Sequence, residues 1–379
     1  MKNVWNGKGL KLGVLGGGQL GRMMIQSAIN YDIQIHCLDP DPEAPCSLIA
    51  HSFKCGSLND FQTVINFGQD KDIITVEIEN VNIEALKELQ LMGKRIFPQP
   101  EILEMIKDKG LQKQFYQNHN LPTSSFQLIS SLQEAANLSL PFVHKLRTGG
   151  YDGKGVNIIR DEFELAKSFE GPSLVEQLIP FKKELSSIVA RNEKGEIAVF
   201  PLVECEFDPD SNLVSFLFSP AEVSREIEAE ASKIAKNIIE KLNMVGLLAV
   251  EFFLTDQDEL LINEIAPRPH NSGHHTIESC NVNQFEQHLR AILNLPLGNT
   301  SLRCAGAMVN LVGEKGYEGI VRYEGLEEVM KLEGVYPHLY GKQNTKPNRK
   351  MGHITVTGKD ILDVKAKAEM IMTKIKVKS

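Results

Sequence analysis

Two glutamates in neighbouring apolar segments, Glu251 and Glu264, are spaced so that they could act together. The residues around them, 247–254 and 260–265, have the composition of two strands, and the polar residues that separate them predict a hairpin turn. If the hairpin is centred between Gln257 and Asp258, the two glutamates stand directly opposite each other. Their side chains would then share one edge of a sheet.

Opposed carboxylates need a compensating charge. Like charges directly across a sheet are destabilising, and these two strands are otherwise apolar, so we expect a cation between Glu251 and Glu264. Magnesium bridging both carboxylates and nucleotide phosphates is the predicted occupant. The alternative is a carboxyl pair that shares one proton, as in aspartic proteases or glycosidases.

A glycine-rich segment at 148–155, TGGYDGKG, favours the metal over the shared proton. It lies between strands predicted at 141–147 and 156–159. It is not a Walker loop, because Val156 stands where Ser or Thr must bind magnesium and no helix follows. Four glycines and a lysine can still cover a triphosphate as a lid. Lys145, in the preceding apolar strand, needs an anionic partner.

Other segments carry weaker signals for a nucleotide. The run EQLI at 176–179 ends a predicted strand, where backbone edges could pair with adenine, and Glu184 follows within reach of a ribose. The segment 266–275, APRPHNSGHH, is rich in donors and suited to a small oxyanion. Lys342, Arg349 and Lys350 lie within nine residues and could bind a monophosphate.

The first glycine-rich segment, GGGQLG at 16–21, matches the dinucleotide-binding pattern, and Asp39 stands where a ribose-binding acid would. Taken alone, this pattern predicts an NAD-dependent dehydrogenase. Glu77 and Glu79 follow a predicted strand of the same sheet. Because ligands bind beyond the carboxyl ends of parallel strands, at least one of these acids should face the same crevice.

Alternating strands and helices to about residue 100 predict a parallel, doubly wound α/β sheet, and hairpins beyond residue 120 predict an α+β region. The chain has 379 residues, which fits two or three domains. Its net charge of -8 does not indicate binding to nucleic acid or to an anionic membrane. Six cysteines without a CxxC pair and no long apolar run lead us to expect a cytoplasmic protein.

Five segments, GGGQLGRM, RTGGYDGKG, VEFF, NEIAPRPHNSGHH and RKMGH, occur together and in this order. In this respect the chain resembles, over nearly its whole length, the ATP-grasp enzymes that form N5-carboxyaminoimidazole ribonucleotide. The resemblance implies an ATP-grasp fold with a Rossmann-like N-terminal domain (1–100), a lid or central domain (101–180), a domain with the metal site (181–300) and a C-terminal portion (301–379). It also implies a homodimer.

The implied reaction uses ATP, Mg²⁺ and bicarbonate to carboxylate 5-aminoimidazole ribonucleotide, through carboxyphosphate. The implied ATP contacts are Lys109, Lys145, Gly150, Tyr151, Asp152, Gly153, Lys154, Gly155, Glu176, Gln177, Leu178, Ile179, Glu184, Asn263 and Glu264, with magnesium on Glu251 and Glu264. The implied ribonucleotide contacts are Gln19, Leu20, Glu79, Asn271, Lys342, Arg349 and Lys350, and the implied catalytic residues are Tyr151, Lys154, Arg268 and His270.

Two other readings compete. A formate-dependent glycinamide ribonucleotide transformylase, or another ATP-grasp carboxylate-amine ligase, would share the fold and activate a different acid. The histidines at 270–275 favour bicarbonate. A dehydrogenase would use residues 16–21 but would leave Glu251, Glu264 and the second glycine-rich segment without a role.

Overall fold

The N-terminal unit is the predicted parallel sheet with helices on its faces. The structure is a computed structural model that describes residues 9–150, 155–207 and 214–379. The elements of this unit are β1 (Lys11–Leu15), α1 (Gln19–Ile29), β2 (Gln34–Asp39), β3 (Ser52–Cys55), α2 (Phe61–Gly68), β4 (Ile73–Val76), α3 (Ile83–Leu91) and β5 (Arg95–Phe97). The strand order is β3-β2-β1-β4-β5, so the apolar β1 lies at the centre. The edge strand β3 was not predicted, because its largely exposed side chains give no apolar run.

The glycine-rich turn between β1 and α1 is occupied by a side chain of its own unit. Glu77, which follows β4 and is buried, accepts hydrogen bonds from the backbone N–H groups of Gly18 and Leu20. A Cβ on Gly18 would lie 2.5 Å from Glu77 Oε1, and a Cβ on Gly16 would lie 2.8 Å from its Oε2. The glycines therefore make room for Glu77. Asp39 accepts from Gly17 at 2.7 Å, so a second carboxylate takes the next N–H.

A small antiparallel sheet follows two helices. The elements are α4 (Pro100–Lys107), α5 (Lys109–Asn118), β6 (Phe126–Ile129), α6 (Leu132–Ala135), β7 (Phe142–Leu146), β8 (Val156–Ile159), α7 (Glu162–Leu165) and β9 (Ser173–Gln177). The strand order is β6-β9-β7-β8. Strand β6 was not predicted. It pairs with β9 and thereby fixes the strand that carries Glu176.

The largest sheet has nine strands and carries the hairpin with the two glutamates. Its half of the chain contains β10 (Phe181–Arg191), β11 (Ile197–Val199), β12 (Val203–Phe207), β13 (Val214–Ser219), α8 (Arg225–Lys241), β14 (Gly246–Thr255), β15 (Leu260–Ala266), a 3₁₀ turn (Asn271–Gly273), α9 (Thr276–Ser279), α10 (Gln284–Ile292), β16 (Ala305–Val312), β17 (Gly319–Ile320), β18 (Arg322–Glu324), α11 (Leu326–Val329), β19 (Val335–Leu339), β20 (Asn344–Thr345), β21 (Lys350–Gly358), α12 (Ile361–Lys374) and β22 (Lys376–Lys378). The order is β15-β14-β10-β12-β13-β16-β21-β19, with β11 beside β10.

This sheet is antiparallel throughout and runs across residue 300, since β16, β21 and β19 continue it beyond β13. Helix α8 covers one face through buried residues such as Ile234 and Ile238. The domain limits at 100, 180 and 300 stay predictions. Within the described residues, no helix has both the length and the apolar composition needed to cross a bilayer.

The position of Glu77 predicts a stability cost that is separate from catalysis. Glu77→Ala should lower the free energy of unfolding by about 2 kcal/mol, because buried N–H groups at the start of α1 lose their acceptor. A urea titration followed by circular dichroism measures this. Glu88→Ala, at an exposed position of α3, is the control and should change little. Equal urea midpoints for both variants would contradict the role of Glu77.

Candidate functional site

The predicted opposition of Glu251 and Glu264 is confirmed: the two residues are partners across β14 and β15. The predicted centre of the turn is wrong by half a residue. Leu254 faces Leu260, so the turn is centred on Gln257 and not between Gln257 and Asp258. A bulge on the β15 side at Asn263 adds one residue and restores the opposition. Bulges re-aim side chains near functional sites, and the bulged residue here, Asn263, accepts a hydrogen bond from Lys145.

Cations from outside the hairpin partly compensate these carboxylates. Lys109, at the start of α5, supplies this positive charge through an ion pair with Glu264, while the ring of His270 faces Glu251, with Nε2 3.5 Å from Glu251 Oε1. Lys109 holds the pKa of Glu264 well below its usual range. Burial, together with the charge of Glu264, raises the pKa of Glu251. The sequence within the hairpin gave no sign of this lysine, which is 155 residues away from Glu264.

Both carboxylates remain open to a ligand, with 29% of the Glu251 side chain and 41% of the Glu264 side chain exposed. Residues 9–150, 155–207 and 214–379 contain no group of three His, Cys, Asp or Glu side chains arranged to hold a metal ion. A metal at this position would therefore take further ligands from a bound phosphate or from water. This donor set, two carboxylates with oxygen ligands from a substrate, suits Mg²⁺.

A buried ion network connects the hairpin to the small sheet. Lys145 Nζ lies 3.1 Å from Asn263 Oδ1 and 3.2 Å from Glu176 Oε1, so Glu176 is the anionic partner that Lys145 was expected to need. Glu176 is only 4% exposed. Burial alone would raise its pKa, but Lys145 and Lys113 lower it. Three residues implied to contact ATP are thus brought together.

Lys113 belongs to this network and was missed. Its Nζ donates to Thr123 Oγ1 at 2.6 Å and Ser124 Oγ at 2.9 Å, and it lies 3.1 Å from Glu176 Oε2. Burial lowers the pKa of Lys113 to about 8. The available signal was its spacing from Lys109: residues four apart lie on the same face of a helix.

The glycine-rich segment after β7 is anchored at both ends. Arg147 pairs with Asp108, whose carboxylate also caps α5, and the Lys109 N–H donates to the Arg147 carbonyl at 2.8 Å. Gly149 and Gly155 have φ of +79° and +81°, a conformation that favours glycine. Gly150 is half-buried. The predicted site residues Tyr151, Asp152, Gly153 and Lys154 lie outside the described residues.

The remaining predicted nucleotide contacts lie where the two sheets meet. Gln177 is exposed and bonded to Ser125, while Leu178 and Ile179 are half-buried between β9 and β10. Glu184 lies on β10, paired with β12 on one side and β14 on the other. Burial raises the pKa of Glu184 to about 7.

The segment that follows the hairpin contacts the N-terminal unit. Arg268 Nε lies 2.8 Å from Glu79 Oε1, so two predicted substrate-site residues from distant parts of the chain meet. Asn271 is nearby in sequence, and its buried Nδ2 has no hydrogen-bond partner among the described residues. Gln19 is half-buried at the start of α1. Leu20 instead packs into the N-terminal core and gives its N–H to Glu77.

His270 is held in one orientation. Its Nδ1 accepts from the Ser272 N–H, which leaves the proton on Nε2 facing Glu251. The Ser272 hydroxyl lies 2.7 Å from that of Ser186, the residue opposite Glu251 on β10. Gln284 clamps the backbone of His270 through hydrogen bonds of 2.8 Å to its N–H and its carbonyl. This order makes His270 a directed donor.

The other histidines of the segment 270–275 do not share that position. His275 is buried and bonded to the Ser272 carbonyl, and His274 stacks on His353 with ring centroids 4.6 Å apart. His353 in turn stacks on His338 at 4.5 Å. Burial lowers the pKa of both His274 and His353 well below the usual range. These neutral rings attach the C-terminal portion to the site, so of this segment only His270 supports the predicted oxyanion role.

The predicted monophosphate cluster is preformed. Lys342 Nζ donates to the Lys350 carbonyl at 2.8 Å, and Arg349 Nη1 donates to the Asn344 carbonyl at 2.8 Å. These contacts fix the positions of the Lys342 and Arg349 side chains. The charge of Lys350 also offsets part of the burial effect that raises the pKa of Glu251, which indicates that the cluster borders the carboxylates.

With this geometry established, the chain can be compared with known proteins. Residues 114–285 match the ATP-grasp domain, residues 10–107 the ribonucleotide synthetase preATP-grasp domain, and residues 306–367 the phosphoribosylaminoimidazole carboxylase C-terminal domain. The N5-carboxyaminoimidazole ribonucleotide synthase of Bacillus subtilis (strain 168) is 38% identical over 356 residues, 92% of this chain and 91% of that protein. The chain belongs to this family of ATP-grasp enzymes. The predicted fold class is confirmed.

Solved structures agree with this membership. The N5-carboxyaminoimidazole ribonucleotide synthetase from Thermotoga maritima is 40% identical with a TM-score of 0.91, covering 98% of this chain and 99% of that one. The N5-carboxyaminoimidazole synthase from Aspergillus clavatus, solved with ADP and 5-aminoimidazole ribonucleotide, is 30% identical with a TM-score of 0.89 over 98% and 99%. Relatives named phosphoribosylaminoimidazole carboxylase are longer; the chain spans 66% of the chloroplastic one from Vigna aconitifolia at 36% identity.

The pKa of Glu184 predicts a pH dependence of ATP binding. A carboxylate accepts hydrogen bonds from ribose hydroxyls better than a carboxylic acid does, so affinity should fall as the pH drops through about 7, where Glu184 takes up a proton. Glu184→Gln should bind ATP more weakly at pH 8 and lose this pH dependence. Calorimetric titration between pH 6 and 8 measures both. A parallel pH dependence in both proteins would assign the effect to another group.

Proposed function

We propose that this chain uses ATP and bicarbonate to carboxylate the exocyclic amine of 5-aminoimidazole ribonucleotide, giving N5-carboxyaminoimidazole ribonucleotide, ADP and phosphate. One observation carries the proposal: Glu251 and Glu264 are opposed, Lys109 and Lys145 contact their hairpin, and Arg268, four residues after Glu264, pairs with Glu79 of the N-terminal unit. Family membership supports both the nucleotide and the ribonucleotide. The bicarbonate rests on the family resemblance and on His270.

The proposed reaction has two steps. A bicarbonate oxygen attacks the γ-phosphorus of ATP, and the bond to ADP breaks. The amine nitrogen then attacks the carboxyl carbon of carboxyphosphate, phosphate leaves with the bonding electrons, and the nitrogen loses a proton. Such an intermediate is short-lived in water, so both steps require adjacent, enclosed reactants.

The described side chains suit these steps. Lys109 and Lys145 supply positive charge for the nucleotide phosphates, with Glu176 and Lys113 holding Lys145 in place. His270 presents its Nε2 proton toward the carboxylates, where an oxyanion could accept it, and Arg268 adds a planar donor next to Glu79. A bound Mg²⁺ on Glu251 and Glu264 would neutralise phosphate charge in the transition state.

The decisive assay is ADP release with 5-aminoimidazole ribonucleotide, run with bicarbonate, with formate and with neither. We expect bicarbonate-dependent ADP and carboxylated product. Formate-dependent product with glycinamide ribonucleotide would make the transformylase reading the better one. Reduction of a nicotinamide cofactor would support the dehydrogenase reading.

The metal assignment predicts that Glu251→Gln and Glu264→Gln each abolish ATP turnover while the fold stays intact. Each change removes a carboxylate ligand. Glu251→Gln also relieves the repulsion across the hairpin, so its thermal stability should hold or rise, whereas Glu264→Gln also loses the ion pair with Lys109 and should gain less. Turnover is measured at increasing magnesium and stability by thermal unfolding. Glu259→Gln, exposed in the turn of the same hairpin, is the control. Near-normal turnover of either site variant at saturating magnesium would sink the assignment.

The proposed role of His270 predicts that the acyl phosphate is lost to water when this side chain is removed. His270→Ala should lower carboxylated product more than ADP release, because the acyl phosphate would form and then be lost to water. The ratio of product to ADP measures this, with His51→Ala at an exposed position as the control. An unchanged ratio would remove His270 from the bicarbonate site. The same test applies to Tyr151→Phe, which the resemblance assigns to this site.

A cytoplasmic homodimer is also proposed, from the family resemblance alone. Sedimentation equilibrium at several protein concentrations tests the dimer, and fractionation of cells producing the chain tests the location.

A further inference from the structure

Helix α1 carries two polar side chains on one of its faces. Gln19 and Arg22 are three residues apart, hence on one helix face, and both are half-buried. The residues around them, Leu20, Met23 and Met24, are buried in the N-terminal core. Gln19 was implied to contact the ribonucleotide, but nothing assigned a role to Arg22.

The C-terminal portion is anchored directly beside Arg22. Tyr340, which is 1% exposed, inserts into the N-terminal core that includes Met23 and Met24, and its hydroxyl lies 3.0 Å from His353 Nδ1. The next residue, Gly341, has φ of +76°. A Cβ built on Gly341 would lie only 3.4 Å from Arg22 Nη1, so the guanidinium lies against this turn of the chain.

The turn that Arg22 touches leads into the predicted monophosphate cluster. Lys342 follows immediately, with its Nζ 5.6 Å from the centre of the Tyr340 ring, and its hydrogen bond to Lys350 connects it to Arg349 and Lys350. Arg22 therefore contacts the chain one residue before Lys342, from a helix that is far from this loop in the sequence.

Arg22 also keeps its charge uncompensated. Its one hydrogen bond from the guanidinium goes to the Pro45 carbonyl at 3.3 Å, and no carboxylate among the described residues lies within ion-pair distance of it. A half-buried guanidinium is most stable when an anion pairs with it. Its planar donors suit a phosphate group.

We propose that Arg22 binds the 5′-phosphate of the ribonucleotide together with Lys342, Arg349 and Lys350, so that this phosphate bridges the N-terminal unit and the C-terminal portion. The inference rests on the proposed ribonucleotide substrate. It adds a residue from α1 and explains why Tyr340 fixes the loop against that helix.

The test compares 5-aminoimidazole ribonucleotide with the corresponding ribonucleoside, which lacks only the phosphate. Arg22→Gln keeps a donor for the Pro45 carbonyl but removes the charge. It should weaken nucleotide binding by about 10- to 100-fold and leave nucleoside and ATP binding nearly unchanged, as expected for one charge-assisted contact. Arg22→Lys, which keeps the charge but not the fork, should lose less. Arg225→Ala, exposed at the start of α8, is the matched control.

Binding is measured by calorimetry, which requires no turnover. If Arg22→Gln weakens nucleotide and nucleoside equally, Arg22 has only a structural role and the proposal is overturned. If neither affinity changes, it is overturned as well. If Arg22→Gln weakens binding of the nucleotide as expected but the native protein forms no carboxylated product, the proposed reaction is overturned. The assignment of Arg22 to the phosphate then still stands.

Discussion

The site depends on two like charges held opposite each other in a sheet. Glu251 and Glu264 would repel each other in isolation, and the bulge at Asn263 keeps them in register. Positive charge from elsewhere therefore stabilises the hairpin, and the raised pKa of Glu251 relieves part of the repulsion. Lys109 from α5 supplies that charge, and His270 from the segment after β15 faces Glu251, so the site depends on the convergence of distant elements.

Further contacts join the N-terminal unit to the segment after the hairpin and to the C-terminal portion. Arg268 ties the segment after the hairpin to Glu79 of the N-terminal unit, and Tyr340 ties the C-terminal portion to the core beneath α1. The stacked rings of His274, His353 and His338 connect the segment after the hairpin to β19 and β21 of the C-terminal portion. A change in any one of these contacts would therefore shift residues that were predicted to form the site.

The sequence predicted those features that local pattern controls, which are the parallel N-terminal sheet, the glutamate hairpin and the loop flanked by β7 and β8. Short strands with exposed or alternating polar side chains, such as β3 and β12, were missed because pairing partners decide them. Lys109 was named only through resemblance. Its pairing with Glu264 could not be derived, since a helix and a hairpin far apart in sequence share no periodic signal. The centre of the turn was misplaced by half a residue. Glu251 and Glu264 are nevertheless opposed because of the bulge at Asn263, which no pattern in the hairpin sequence indicates.

The GGGQLG turn shows how one local pattern serves different chemistry. In dinucleotide-binding proteins the free N–H groups of such a turn face a phosphate, but here Glu77 and Asp39 accept several of them, so a second anion at that point would meet two carboxylates. In the proposed reaction the N-terminal unit would therefore contact its ligand through side chains, with Gln19, Arg22 and Glu79 as the proposed contacts. Because Glu79 is already paired with Arg268, a ligand hydroxyl that binds there joins an existing ion pair. The crevice is thus organised before the ligand arrives, and less ordering is left for binding to impose.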